Sequence, residues 1–411
     1  MNGQKDQQEA AAAASAMPEQ LVELTKNKEP REEAEEPEEE VRSINYRIKL
    51  AASLCAVILV IVIVVVVLIM GNLIPGLRCT TGFDMPPANQ ILDNGYVRVG
   101  VDYNEGGAIS YVAPSNDPQN NLINVFDKGR HVQMSFFAGP QIYNPDGKCD
   151  KLFNGYEWSW NPIGAGDVDG GVSQILNFER SVGQMSILTR PLQWACHGVP
   201  CECTFDKHIQ VIDGNPAVKV TATLRNERTD EYDENEAKGQ ELPAVYTNGG
   251  FHRLFTYRGA SPFAPGEPVE EIHATFENQF WVPGFFRGTE NWAAMINDDG
   301  WGLGVISPEH DGFLGGFSDP GKRGCGGPRD GQAGYIAVVE SYALPRDIVF
   351  TYEFYLVVGT VDQIRSYAQR VMTGDESAMG NPPPDAESSP EIVPVPEIVA
   401  VPLPLPLNSN P

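Results

Sequence analysis

The chain has 411 residues, 42% of them apolar, and a formal net charge of −26. That acidic balance excludes an ordinary nucleic-acid binder, which needs a basic stripe to displace counterions. With 41 glycines and 33 prolines, the composition favours a turn-rich β protein over a helical bundle.

Residues 1–49 carry 12 acidic and 7 basic side chains and end in the glutamate-rich run before Val41. They cannot bury enough apolar surface to fold alone, so a disordered acidic cytosolic tail is expected. Leu50–Met70 follows, 21 residues without a charge, and about 20 residues span the hydrocarbon core of a bilayer. Only a helix can cross there, because every backbone polar group must be paired internally. A cleaved signal peptide competes, but its leading region would be 49 residues long and its apolar core too long. Arg42, Arg47 and Lys49 closely precede the span, whereas only Arg78 closely follows it. The positive-inside rule then predicts a type II single-pass membrane anchor over 50–71. The N-terminus is placed in the cytosol and the C-terminal domain outside the cell or in a lumen.

Cys55 lies within the span. Cys79, Cys149, Cys196, Cys201, Cys203 and Cys325 all follow it. An even number beyond an anchor reads as up to three disulfides. The alternative is a metal site in Cys196–Cys203, whose ligand types suit zinc. No second CxxC or HxxxH completes it, so no metal is expected.

The folded unit is read over 79–372, with a dominant period of two. Ala217–Arg225 puts Val218, Val220, Ala222 and Leu224 on one face and Lys219, Thr221, Thr223 and Arg225 on the other. Tyr96–Tyr103, His131–Phe137, Gln184–Arg190, Cys203–Val211 and Ile348–Val358 also read as strands. One helix is expected over Val361–Val371, capped by Thr360 with Gln363. The fold class is therefore mainly β, one large β-sandwich ectodomain behind an N-terminal transmembrane helix. Residues 373–411 hold six acidic and no basic side chains with alternating prolines, which favours an extended tail.

Four clusters carry chemistry. Asp127, Arg130, His131 and Gln133 converge within seven residues. Arg130 could clamp a carboxylate or a hydroxyl pair, and Asp127 could act as acid or base. The plain alternative is an Asp–Arg pair bracing a turn. Trp158 and Trp160 offer flat faces for sugar C–H groups, with Asn161 and Asp167 able to bond hydroxyls. Both tryptophans share one face if that stretch is a strand, and one is expected to pack while the other meets ligand. In the third cluster Glu241 reads as a general acid or base, Tyr246 as a proton donor and His252 as a second base. Polar capping of strand ends is the alternative for each. In the fourth, Glu290 could complete a carboxylate pair with Glu241 of the kind glycosidases use, or be an exposed turn residue. No phosphate-cradling glycine loop, HExxH or kinase signature is present, so no cofactor is expected.

Asn94–Ser110, with its Gly106-Gly107-Ala-Ile109, followed by Asn121-Leu122, resembles the opening of galactose-mutarotase-like domains. The Asp127-x-Gly-Arg-x-x-Gln133, Trp160-Asn-Pro162 and Gln240-Glu-Leu-Pro-Ala-Val-Tyr246 elements look like those of a group of secreted bacterial proteins with no assigned reaction. The likeness covers about 90–370. It implies a β-supersandwich that binds or processes carbohydrate, as a glycoside hydrolase, lyase or epimerase-like protein. The paired histidines and downstream Glu of true aldose epimerases are not matched here. A non-catalytic surface adhesion or structural ectodomain is the rival expectation. The polar clusters would then be buried networks that fix loops.

Overall fold

The computed structural model describes residues 88–374 except 140–142, 145–146, 150–151, 154–155, 230–235, 274–283 and 319–323, together with Arg47 and Ala51. The two tails, Cys79 and the Leu50–Met70 span lie almost wholly outside the described residues. Among those described, no helix is long and apolar enough to cross a membrane.

The described residues form two large antiparallel sheets. The first is ten-stranded. Its main path runs Gln90–Asp93, Val97–Val101, Ile109–Pro114, Val132–Ser135, Lys238–Asn248, Ala333–Tyr342, Gly312–Phe317 and Gly284–Arg287. The second is nine-stranded and includes Arg253–Thr256, Trp292–Ile296, Trp301–Ile306, Val349–Thr360, Ala217–Asn226, Cys203–Val211 and Gln184–Arg190. The expected strands are all present within a few residues. Gln184–Arg190 and Cys203–Val211 have the bounds that alternation predicts.

Period-two patterning decides what lies between the sheets. Val218, Val220, Ala222 and Leu224 from the second sheet meet Val99, Val132, Met134 and Leu242 from the first in one buried cluster. Their polar alternates face outward, where Lys219 pairs with Glu353 at 2.8 Å. The helix Val361–Thr373 caps as expected, with a reciprocal Thr360–Gln363 box. It lays Ile364, Tyr367 and Ala368 against Trp292, Ala294 and Tyr355 on the outer face of the second sheet. A Cβ at Gly304 would stand 2.3 Å from Ile364 Cγ2, so glycine is what lets the helix seat there.

Cys149 is bonded to Cys196 and Cys201 to Cys203, and Cys325 is disulfide-bonded as well. The thiolates that a metal would need at Cys196–Cys203 are consumed in these bonds, as the disulfide reading expects.

Candidate functional site

A third, smaller apolar cluster sits on the outward face of the first sheet. Ala244, Tyr335 and Ala337 are buried there beside Tyr246, Leu314 and Val339. An irregularity in the Lys238–Asn248 strand builds it. Glu241 pairs with Val339 and Ala244 with Ala337, so three steps on one strand match two on its neighbour. This is the signature of a bulge. In unbroken alternation Glu241 and Ala244 would point to opposite faces. The extra residue puts Glu241, Ala244 and Tyr246 on the same face, while Leu242 and Val245 still fill the core. Pro243 donates no ladder hydrogen bond, and a bulge is where a sheet tolerates that loss. The adjoining Val132–Ser135 strand adds Ser135 opposite Glu241 and Gln133 opposite Ala244.

Two hollows open on this face. One, of about 410 Å³, is lined by Phe137, Ser159, Lys238, Gly239, Glu241, Leu314 and Val339. The other, of about 140 Å³, includes Gln133, Ser135, Trp158, Asn161, Trp194 and Tyr246 in its walls. Glu241 and Phe137 belong to both.

Glu241 is the carboxylate that lines both hollows. Tyr335 Oη donates to its Oε1 at 2.5 Å. Burial pushes its carboxyl above the ordinary carboxylate range, and the hydrogen bonds from Tyr335 and Ser135 oppose that rise. Tyr335 and Tyr246 stand with ring centroids 4.9 Å apart. Burial and the nearby Glu241 carboxylate raise both phenols, so both remain protonated donors at neutral pH. A carboxyl with a raised pKa and a phenol in contact is an arrangement suited to taking and returning a proton.

The structure gathers some of the sequence candidates and disperses others. Glu241, Tyr246, Gln133, Trp158 and Asn161 meet on the two hollows. Gln133 and Asn161 shape the wall. Gln133 donates to the Lys128 and Arg130 carbonyls and accepts from Ala165 N. Asn161 donates to the Phe136 carbonyl at 2.9 Å. Trp158 lines the smaller hollow, whereas Trp160 is fully buried in the inter-sheet core. Trp160 is therefore the packing member of the pair, and the two do not share a strand face, because Trp158 lies outside any strand.

Arg130 and Asp127 form the turn brace. Arg130 Nε stands 3.3 Å from Asp127 Oδ2, and Asp127 Oδ1 accepts from Gly129 N. They lie near enough to Tyr246 to act on its phenol electrostatically. Asp167 accepts from three loop amides, those of Asp169, Gly171 and Gly198. His252 stands at the second sheet, 3.4 Å from Asp298 Oδ1.

Glu290 does not join Glu241 on the hollows. Its buried carboxylate is forked by Arg365 at 2.9 and 2.7 Å and also accepts from Trp292 Nε1 and Phe263 N. These four donors engage the carboxylate in an ion pair away from the hollows, so the Glu241–Glu290 pair considered from the sequence is not formed. Ser135, Phe137, Lys238 and Trp194 also line the hollows and Tyr335 contacts Glu241, and none of these five is a candidate by sequence. Tyr335 lies 94 positions from Glu241, and only the pairing of the two strands brings them together.

His131 also faces away from the hollows. It is buried at a positive φ of 82°, with its ring 3.5 Å from Glu105. Burial drives its pKa down to about 3, and the charges of Lys128 and Lys207 add to the drop. Lys207 is buried nearby and donates to the Gly107 carbonyl at 2.7 Å. Burial pushes its pKa down to about 7. The unfolded chain holds the Lys207 proton up to its ordinary 10.5, so unfolding takes up a proton between about pH 7 and 10. Stability therefore rises with pH across that window from this group, by at most about 1.4 kcal/mol per pH unit. Lys207→Met is expected to remove that contribution, read as the difference between the two proteins' urea-unfolding free energies at pH 7 and 9.5.

No family model and no curated protein matches the sequence. Solved structures do. An aldose 1-epimerase candidate from Escherichia coli K12 is 13% identical, with 66% of this chain and 99% of that chain covered at a TM-score of 0.42. A galactose mutarotase-like protein from Lactobacillus casei ATCC 334 is 11% identical, with 65% and 99% covered at a TM-score of 0.40. An α-mannosidase from Enterococcus faecalis V583 is 11% identical, with 72% of this chain but 31% of that chain covered at a TM-score of 0.40. All three similarities have TM-scores below 0.5, and they assign no family to this chain. No residue role follows from them either.

Proposed function

We propose that the paired hollows bind carbohydrate and that Glu241 transfers a proton on the bound sugar. The observation that carries this reading is the environment of Glu241. A carboxyl raised by burial is bonded to a protonated tyrosine and opens onto a cavity of about 410 Å³. That volume falls within the roughly 300–1,000 Å³ of small-molecule clefts. Trp158, Trp194, Phe137 and Tyr246 supply aromatic faces in the smaller hollow beside it, suited to the C–H faces of a pyranose. Glu241 is the one carboxylate among the described lining residues. Hydrolysis with two flanking carboxylates is therefore less well supported than single-base proton transfer, as in an epimerase or a lyase.

In this reading the Leu50–Met70 span anchors the domain with its N-terminus in the cytosol. The disulfides accord with an extracellular or lumenal domain.

The test is a glycan panel probed with the full chain. Binding is expected, and Trp158→Ala is expected to weaken it at least tenfold without loss of fold by circular dichroism. Binding that ignores Trp158→Ala and Tyr246→Ala alike places the ligand elsewhere. Where turnover is found, Tyr335→Phe removes a donor that favours the Glu241 anion. The Glu241 pKa then rises further, and the acid limb of the kcat/KM profile moves up by about 1–2 pH units, the equivalent of a charged hydrogen bond.

A further inference from the structure

The geometry points to an oligosaccharide of at least two units, straddling Glu241, as the ligand class of this site. The inference rests on the carbohydrate reading above and narrows it. Among the described lining residues, only Glu241 and Phe137 are common to the two hollows, so the hollows adjoin at these side chains, taken as the divide between them. The smaller hollow, at about 140 Å³, falls below the roughly 300 Å³ at which an independent small-molecule cleft begins. It nevertheless has the aromatic walls, with Trp158, Trp194 and Tyr246. The larger hollow has a different chemistry, with Lys238 and Ser159 beside Leu314 and Val339. No carboxylate among the described residues pairs with Lys238, whose ammonium donates to the Gly139 carbonyl at 2.7 Å.

A single ring occupies one side of the divide and leaves the other to water. Two linked rings fill both sides, and the linkage between them then lies against the Glu241 carboxyl. The aromatic side holds one unit by its apolar face. The Lys238 side holds the next through hydroxyl or acidic groups. The carboxyl therefore addresses a position inside a chain rather than the free end of a monosaccharide.

The experiment is isothermal titration of the full chain with four monosaccharides and their oligomers. The probes are glucose with cello-oligosaccharides, galactose with galacto-oligosaccharides, N-acetylglucosamine with chito-oligosaccharides, and galacturonate with oligogalacturonates. The expected result is that the sugar that binds does so at least tenfold more tightly as the dimer or trimer than as the monomer. Leu314→Trp, which narrows the larger hollow, is expected to bring that ratio close to one. Val339→Phe serves the same purpose should Leu314→Trp fail to fold. A monomer bound as tightly as its oligomers by the native chain overturns the inference and leaves the carbohydrate reading standing. So does a ratio that survives both variants. Absence of binding to every probe by the folded chain overturns both.

Discussion

Glu241→Gln is expected to lower turnover by about 10²–10⁴-fold, the range that a positioned acid–base group supplies. The amide keeps the shape and still accepts from Tyr335, but it cannot take up a proton. The melting temperature should hold or rise. Burial disfavours the Glu241 anion, so the native carboxylate costs stability at neutral pH, and a neutral isostere removes that cost. Lost turnover with an unchanged or higher melting temperature separates a working carboxyl from a structural one. A variant that retains native turnover removes Glu241 from the chemistry.

Arg365→Ala should do the opposite. It strips the fork from Glu290, whose side chain has no exposed surface, and leaves a buried charge with only the Trp292 and Phe263 donors. Breaking a buried ion pair by removing one partner costs about 3–5 kcal/mol, which chemical denaturation would read directly. The pair ties the helix Val361–Thr373 to the start of the Trp292–Ile296 strand, so the loss falls on packing. Carbohydrate affinity of the protein that remains folded should not change. A loss below about 1 kcal/mol would mean that the pair is screened like a surface bridge. The two glutamates are thus told apart by which quantity moves.

Much of the scaffold was legible because strand burial imposes a period of two. Ala217–Asn226 and Cys203–Val211 write their inner and outer faces directly in the sequence. The helix cap was legible for a similar reason, since Thr360 and Gln363 act within four residues. Lys238–Asn248 shows polar candidates rather than a strand pattern, because its bulge breaks the alternation. That same break aligns Glu241 with Tyr246, so the feature that hides the strand also makes the site. Glu241 and Tyr246 could be selected by residue type, but their partner Tyr335 could not. It lies in an apolar run, and its role depends on a pairing between distant strands. The carboxylate of Glu290 is visible in the sequence, but its partner Arg365, 75 positions away, is not. His131 sits in a motif full of polar residues, yet its positive φ turns the local pattern and the ring is buried.

The most direct measurement is a structure of the full chain with the tightest-binding oligosaccharide of the panel. A sugar unit is expected in each hollow, with a Glu241 carboxylate oxygen within hydrogen-bond distance of the linkage region and one ring on the face of Trp158. Sugar bound away from Glu241 and Trp158, with both hollows left to solvent, would contradict it.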